Sequence, residues 1–137
     1  MKKILVFGGF GFLVHYLVYE LSNRGYEVTV ADINENKKLE SEITYVKCDI
    51  TSKENVENVF KNKQFEVVYN LAGFANLDTA IKYPIETIQL NVIGNMHILE
   101  QCVKNNVSRF VYTSSAYAMS NKGSFYGISK LASEKIV

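Results

Sequence analysis

A glycine-rich loop between an apolar run and a helical pattern constrains the fold more than any other feature. Residues Lys3–Phe7 ("KILVF") form a continuous apolar run that ends at glycine, which predicts a strand buried on both faces. Gly8 and Gly11 follow in "GGFGFLV", and residues 12–24 carry apolar side chains at helical spacing before Gly25. A strand, a glycine loop and a helix in this order are typical of a dinucleotide-binding unit.

The loop has the residue types that a pyrophosphate requires. Gly8 permits a tight turn, Gly11 lets the backbone approach the phosphates, and the N–H groups of Phe12 and Leu13 begin a helix whose dipole attracts anions. Val14 stands where such loops have a third glycine, which serves the packing of helix on strand. We therefore expect Val14 to displace the helix outward without removing the anion site.

The rest of the chain repeats the alternation of strand and helix. Further strands are predicted in "YEVTVAD", "ITYVKCDI", "FEVVYNLAG" and "RFVYTSS". Helical patterns follow Thr51 or Ser52 as a cap, run over residues 86–105, and end the chain in "YGISKLASEKIV". This order predicts a single α/β domain over residues 1–137, a doubly wound, Rossmann-like parallel sheet with helices on both faces. The last helical pattern has no turn or glycine after it, so we expect the chain to end within or just after that helix.

An acidic residue lies at the expected distance from the glycine loop. Asp32 ends the second predicted strand, 21 residues after Gly11, close to the spacing of about 20 at which a carboxylate meets the ribose hydroxyls of the adenosine. Because a carboxylate there would repel a 2′-phosphate, NAD is favoured over NADP as the cofactor.

Composition excludes several other classes of protein. The formal net charge is +1, which does not favour nucleic acid or an anionic membrane as a partner. Cys48 and Cys102 lack metal-ligand or redox spacing, so no metal site is expected. The N-terminal "MKKILVFGGFGFLV" imitates a signal peptide, but glycines interrupt its apolar run and no cleavage site follows, so the expected location is the cytoplasm.

A second motif suggests acid–base chemistry. In "YGISK", Tyr126 and Lys130 are four residues apart and share one face of a helix. An ammonium there can stabilise the phenolate, which makes the tyrosine a usable base near neutral pH. The pair is common by chance, and its value comes from its position after a strand that ends in Ser-Ser. His97, within "NMHILEQC", is interpreted as structural.

These motifs together carry a resemblance to a known family. "GGFGFLV", Asp32, "CDI", "NLAGFA", "NVIGN", "YTSSAYA" and "YGISKLASEK" occur in this order along the whole chain. The chain thereby resembles the extended short-chain dehydrogenase/reductases, in particular their NAD-dependent epimerase/dehydratase group.

The resemblance implies roles for individual residues. Ser115, Tyr126 and Lys130 would be catalytic, with Tyr126 as acid/base and Lys130 holding the nicotinamide ribose. Asp49 and Ile50 would face the adenine, and Asn91 would support the site from its helix. The candidate cofactor-binding residues are Gly8, Phe10, Gly11, Phe12, Leu13, Asp32, Ile33, Asp49, Ile50, Leu71, Ala72, Gly73, Asn91, Tyr126 and Lys130.

The implied activity is that of an NAD-dependent nucleotide-sugar epimerase that acts through a keto-sugar on a UDP-hexose-like substrate. A homodimer is the oligomeric state that the resemblance suggests. Sugar dehydratases of the family have an Asp-Glu pair after the catalytic residue, where this chain has Ala116 and Tyr117. An NAD(P)-dependent sugar reductase or dehydrogenase, or a non-catalytic NAD-binding fragment, remains as an alternative. Family members are about twice as long, which implies a C-terminal substrate-binding part that these residues do not contain.

Overall fold

The fold is a parallel sheet of five strands. The computed structural model describes residues 2–9, 11–34 and 43–137. The sheet has the order β3-β2-β1-β4-β5, with every neighbouring pair parallel. The strands are β1 (Lys3–Phe7), β2 (Glu27–Asp32), β3 (Thr44–Lys47), β4 (Val67–Asn70) and β5 (Arg109–Tyr112). The predicted α/β class and parallel sheet are confirmed.

Six α-helices accompany the sheet in the described part of the chain. They are α1 (Phe12–Asn23), α2 (Lys53–Phe60), α3 (Leu77–Lys82), α4 (Pro84–Ile88), α5 (Gly94–Lys104) and α6 (Ser124–Ile136). A π-helical turn (Gln89–Ile93) joins α4 to α5, and a 3₁₀ turn (Ala116–Met119) precedes α6. The predicted continuous helix at 86–105 is therefore interrupted, and it begins earlier because Pro84 can occupy a first helical turn. Neither α3 nor the 3₁₀ turn is long enough to show a helical period in the sequence.

Alternate residues of the strands bury apolar side chains on opposite faces of the sheet. On one face, Leu5 and Phe7 pack with Val56, Phe60 and Ile98 from α2 and α5. The other face forms a second cluster with α1, which contains Ile4, Val6, Val14, Val18, Leu21, Val28 and Val30. Helices thus cover both faces, as the doubly wound topology requires.

The strand order reverses beside β1, which places a site there. β1 pairs with β2 on one side and with β4 on the other, and the connections from these strands leave to opposite faces. The carboxyl ends of strands at such a reversal leave a crevice in which α/β proteins bind ligands. In the described ranges, no helix is both long and apolar enough to cross a bilayer.

Candidate functional site

A cleft of about 620 Å³ opens at the carboxyl ends of the strands. Nine of the predicted cofactor-binding residues line it: Gly8, Gly11, Asp32, Ile33, Asp49, Ile50, Leu71, Ala72 and Gly73. They come from the ends of four different strands or the loops that follow them. The fold therefore brings together residues that lie up to 65 positions apart in the sequence.

The glycine loop is fixed by close backbone approach. Gly8 has φ +85° and its N–H donates to the carbonyl of Ala31 over 2.9 Å. A Cβ at Gly8 would lie 2.5 Å from the backbone nitrogen of Ala72, and a Cβ at Gly9 would lie 1.8 Å from Cγ1 of Val30. Both glycines are thus required by the packing of the loop between β2 and β4. Gly9, which was not among the predicted residues, serves this packing against Val30 and does not line the cleft.

At the start of α1, only some of the predicted cofactor-binding residues line the cleft. Gly11 is the N-cap and no side chain caps the helix, so a bound anion could complete this end. The side chains of Phe12 and Leu13 are exposed and do not line the cleft, so their predicted role depends on their backbone. Phe10 lies outside the described residues. Val14 is buried in the cluster between α1 and the sheet, and the helix displacement that it would cause stays a prediction.

Hydrogen bonds to both its carboxylate and its backbone carbonyl fix Asp32 in the lining of the cleft. One carboxylate oxygen (Oδ1) accepts a hydrogen bond from the N–H of Asn34 over 2.8 Å. Its carbonyl accepts from the Tyr45 hydroxyl and from the N–H of Cys48. The carboxylate therefore has a defined place at the end of β2 and retains further lone pairs for ribose hydroxyls.

The loop between β3 and α2 forms another wall of the cleft. Asp49 Oδ1 accepts from both the N–H and the hydroxyl of Thr51, and the Asp49 N–H donates to Asn55 Oδ1. Ile50 is buried, whereas Asp49 is partly exposed. The predicted adenine-facing residues thus lie in an ordered turn that Ser52 continues as the N-cap of α2.

Asn91 connects the cleft to α6. Its Oδ1 accepts from the N–H of Phe74 over 2.8 Å, and its Nδ2 donates to Ser129 Oγ over 2.9 Å. A Cβ at Gly73 would lie 2.7 Å from this same Oδ1 and 3.8 Å from Lys130 Nζ. The π-helical turn that carries Asn91 belongs to a class of helix defect that is frequent at functional sites. The supporting role of Asn91 stays a prediction, and these contacts place its side chain between the segment after β4 and α6.

Lys130 is a buried cation beside Tyr126. Only 5% of Lys130 is exposed, and its Nζ donates to the carbonyl of Thr113 over 2.9 Å. The same Nζ lies 4.9 Å from the ring centroid of Tyr112 and 6.0 Å from that of Tyr126. Burial lowers the pKa of the Lys130 ammonium to about 8, because the charged form loses its hydration. Burial also raises the pKa of the Tyr112 phenol to about 12, so Tyr112 stays neutral.

Ser115 and Tyr126 meet at a shared neighbour. Ser115 caps the 3₁₀ turn, and its Oγ accepts from the N–H of Tyr117 over 3.2 Å. The ring of Tyr117 packs edge-on to that of Tyr126, with centroids 6.2 Å apart. Ser115, Tyr126 and Lys130 do not line the cleft itself, and Lys130 approaches it at Gly73. Their predicted catalytic roles stay predictions.

The residues present fit NAD. A Cβ at Gly8 would enter the backbone that borders the cleft, the helix end beside Gly11 lacks a side-chain cap, and Asp32 supplies a carboxylate. These are the donor and acceptor types that a pyrophosphate and an adenosine ribose require.

Several supporting residues were not found from the sequence. Phe74 and Leu90 line the cleft next to predicted residues, so their proximity to "NLAGFA" and "NVIGN" was the available signal. Ser129 and Ser133 hydrogen bond to Asn91 from α6. Serines at these positions carry no sequence signal of their own, because their partner lies about 40 residues away.

Comparisons with known sequences identify relatives. A model of the NAD dependent epimerase/dehydratase family matches residues 4–137. The chain is 26% identical over 129 residues to a pea bifunctional UDP-glucose and UDP-xylose 4-epimerase, covering 84% of this chain and 37% of that protein. It is 29% identical over 123 residues to the UDP-glucose 4-epimerase of Bacillus subtilis, covering 82% of this chain and 36% of that protein.

Solved structures have the same fold. The UDP-glucose 4-epimerase of Thermotoga maritima, with UDP-glucose, matches with a TM-score of 0.90 at 27% identity, over 98% of this chain and 50% of that chain. That of Bifidobacterium longum, in complex with NAD⁺ and UDP, matches with a TM-score of 0.89 at 26% identity, over 98% and 48%. The chain thus spans between a third and a half of these relatives' length.

The family match settles the coarse assignment. NAD, the predicted cofactor, is the cofactor for which the matched family is named. The match extends over nearly all of the sequence, from β1 to the end of α6, and includes every motif on which the resemblance depends. The chain belongs to the NAD dependent epimerase/dehydratase family.

Proposed function

We propose that residues 1–137 are the NAD-binding domain of a nucleotide-sugar epimerase that acts at C4 of a UDP-hexose-like substrate. One observation carries the proposal: the glycine loop and Asp32 border one cleft, which Gly73 connects to Asn91 and Lys130. The relatives named above are 4-epimerases, which supports this reaction over the sugar reductase or dehydrogenase.

In the proposed mechanism, the chain positions a cofactor and moves a proton. Bound NAD would supply a reversible hydride acceptor. Tyr126 Oη takes the proton of a sugar hydroxyl and later returns it, and the Ser115 hydroxyl hydrogen bonds to the same sugar oxygen. Lys130, whose Nζ already donates to Thr113 O, has further N–H donors for a ribose hydroxyl and keeps positive charge near Tyr126.

The cofactor assignment is tested by calorimetry with this chain. We expect NAD to bind, NADP to bind more weakly, and Asp32→Asn to weaken NAD by about tenfold, since it replaces charge-assisted hydrogen bonds with neutral ones. Asp78→Asn is the matched control, because Asp78 is exposed on α3 and does not line the cleft. Absence of NAD binding, or equal affinities in the wild type and Asp32→Asn, would contradict the assignment.

The reaction is tested on the complete protein with a UDP-hexose. The epimerase proposal expects conversion of the sugar without net NADH, and a loss of at least about a hundredfold in turnover for Tyr126→Phe with NAD still bound. Stoichiometric absorbance at the nicotinamide band would instead support the dehydrogenase. Turnover that survives in Tyr126→Phe would remove Tyr126 from the mechanism, and NAD binding without any sugar conversion would support a non-catalytic module.

The nucleotide-sugar in this proposal follows from the family assignment, and the location and the excluded partners follow from the composition of the sequence. The protein acts in the cytoplasm on a nucleotide-sugar, without a nucleic-acid or membrane partner. Exposed apolar side chains on two helices, Met96 and Val103 of α5 and Ile128 and Leu131 of α6, support pairing of two copies. Light scattering at micromolar concentration tests the homodimer, and a monomer mass would contradict it.

A further inference from the structure

We propose that His97 is a positioning residue of the cofactor cleft. Its Nδ1–H donates a hydrogen bond that holds Ile50, and with it one wall of the cleft, in place. This inference depends on the proposed NAD site. The ring nitrogen Nδ1 of His97 lies 2.9 Å from the carbonyl oxygen of Ile50, 47 residues earlier in the chain. His97 is thus more than the packing residue that its place in an amphipathic helix predicts.

The chemistry of the two partners fixes the direction of this bond. A carbonyl oxygen only accepts, so Nδ1 must carry the proton. The neutral ring is therefore the Nδ1–H tautomer, with Nε2 as the acceptor nitrogen, and the charged ring donates equally well from Nδ1. The bond between His97 and Ile50 is accordingly retained whether the ring is neutral or protonated.

The same face of α5 also receives the side chain of Ile50. Gly94 precedes His97 by one helical turn, and a Cβ at Gly94 would lie 2.7 Å from Cγ1 of Ile50. Gly94 thus makes room for the side chain while His97 binds the carbonyl. Together they hold Ile50 from both its side chain and its backbone.

No other hydrogen bond of this loop reaches α5 within the described ranges. Cys48 N–H donates to Asp32 in β2, Asp49 N–H donates to Asn55 in α2, and the bonds of Thr51 stay within the loop. The bond to His97 is the hydrogen bond that joins residues of the cleft wall to α5, while Lys53, the first residue of α2, is bonded to Glu100 of the same helix. Because Asp49, Ile50 and Thr51 line the cleft, its loss would let this wall move relative to the other walls.

Side chains of different shape separate this role from simple packing. Asparagine can place its Nδ2 donor close to the position of histidine Nδ1, whereas glutamine places its amide near Nε2 and leucine has no donor. We expect His97→Asn to bind NAD like the wild type, and His97→Leu and His97→Gln to bind about tenfold more weakly, the loss of one hydrogen bond. If His97→Leu does not fold, the comparison of Asn with Gln decides. Equal NAD affinity in the Asn and Gln variants would overturn the proposal.

A spectroscopic measurement tests the bond without any cofactor. Nitrogen-15 NMR of the neutral imidazole in alkaline buffer distinguishes the two tautomers, and the chain has only two histidines. His15→Gln assigns the remaining signal to His97. We expect the Nδ1–H tautomer, and an Nε2–H tautomer would overturn the inference. A wild-type chain that binds no NAD but shows the Nδ1–H tautomer would count against the proposed function, and would leave the hydrogen bond itself confirmed.

Discussion

The glycine loop of the cleft and the polar cluster that adjoins the cleft at α6 are built by different means. At the glycine loop the backbone itself forms the site. Gly8 approaches the segment after β4, and Gly9 approaches β2, so closely that neither has room for a Cβ, while the side chains of Phe12 and Leu13 are exposed. The adjoining cluster, which does not line the cleft, is made from buried polar side chains of α6 and the π-helical turn: Asn91, Ser129, Lys130 and Ser133 are each at most 5% exposed.

This difference predicts opposite sensitivities. A backbone site tolerates changes of side-chain chemistry but not added volume, because its groups are present in every residue. A site of buried polar side chains tolerates little change in chemistry, because each lost partner leaves a desolvated group without a hydrogen bond. The following variants test whether the two regions differ in this way.

The largest effect is expected from Gly8→Ala. The methyl group would overlap the backbone of Ala72 at a residue with φ +85°, so we expect a loss of more than about 3 kcal/mol in unfolding free energy and loss of NAD binding. Gly25→Ala is the matched control: its φ is +80°, but nothing lies within 4 Å of the added atom. Only the backbone strain, about 1 kcal/mol, should remain there. Denaturant unfolding of both variants measures this, and equal losses would remove steric exclusion as the reason for Gly8.

The second effect concerns the charge of Lys130. Its pKa is lowered from 10.5 to about 8 in the folded protein, so between these values the unfolded chain holds a proton that the folded one has released. Stability therefore rises with pH in this window, by up to about 3 kcal/mol relative to Lys130→Met. Urea unfolding of both proteins at pH 7.5 and 10 measures the difference between them.

Other buried groups also make the stability of the protein depend on pH, so the wild type must be compared with Lys130→Met at each pH. Burial raises the pKa of Cys48, Cys102 and Tyr112 to about 12, so the folded state keeps protons that the unfolded state loses, and these groups lower stability as the pH rises above their ordinary values. They are present in both proteins and largely cancel. A difference that does not change between pH 7.5 and 10 would show that Lys130 is well solvated.

The smallest effect is expected at Val14. Removing this buried side chain as Val14→Gly should cost about 2 kcal/mol of unfolding free energy. It should also strengthen NAD binding, because α1 could then approach the sheet. Val18→Ala is the control, since Val18 lies in the same buried cluster one turn farther from the loop, and it should lower stability alone. Calorimetry and thermal melts measure both, and an unchanged affinity and melting temperature in Val14→Gly would contradict the packing account.

The sequence predicted the backbone end of the site better than the side-chain end. Residues Gly8, Gly11 and Asp32 form a local pattern within 25 positions, and the structure places all three at the cleft. The bonds that tie Asn91 to Ser129, and His97 to Ile50, join residues 38 and 47 positions apart. Such pairs form only when the helices pack together, so no period or spacing in the sequence predicts them.

The helical segment 84–104, which the π-helical turn interrupts, shows the same limit of prediction from sequence. Apolar periodicity predicted one helix there, because a π-helical turn changes the period by only one residue. The side chain of Asn91 in this turn hydrogen bonds to Phe74 and Ser129, which lie 17 and 38 residues away in the sequence.

The π-helical turn also makes the cleft sensitive to chain length. It accommodates one residue more than a regular helix would, between α4, which carries Glu86, and the buried face of α5. Because the turn absorbs this residue, deleting one residue from Gln89–Ile93 should restore regular α-helix with Glu86 and α5 close to their present orientation, and should displace the side chain of Asn91 from Phe74 and Ser129. Such a deletion would keep the helix and lose the hydrogen bonds of Asn91 that connect the cleft to α6.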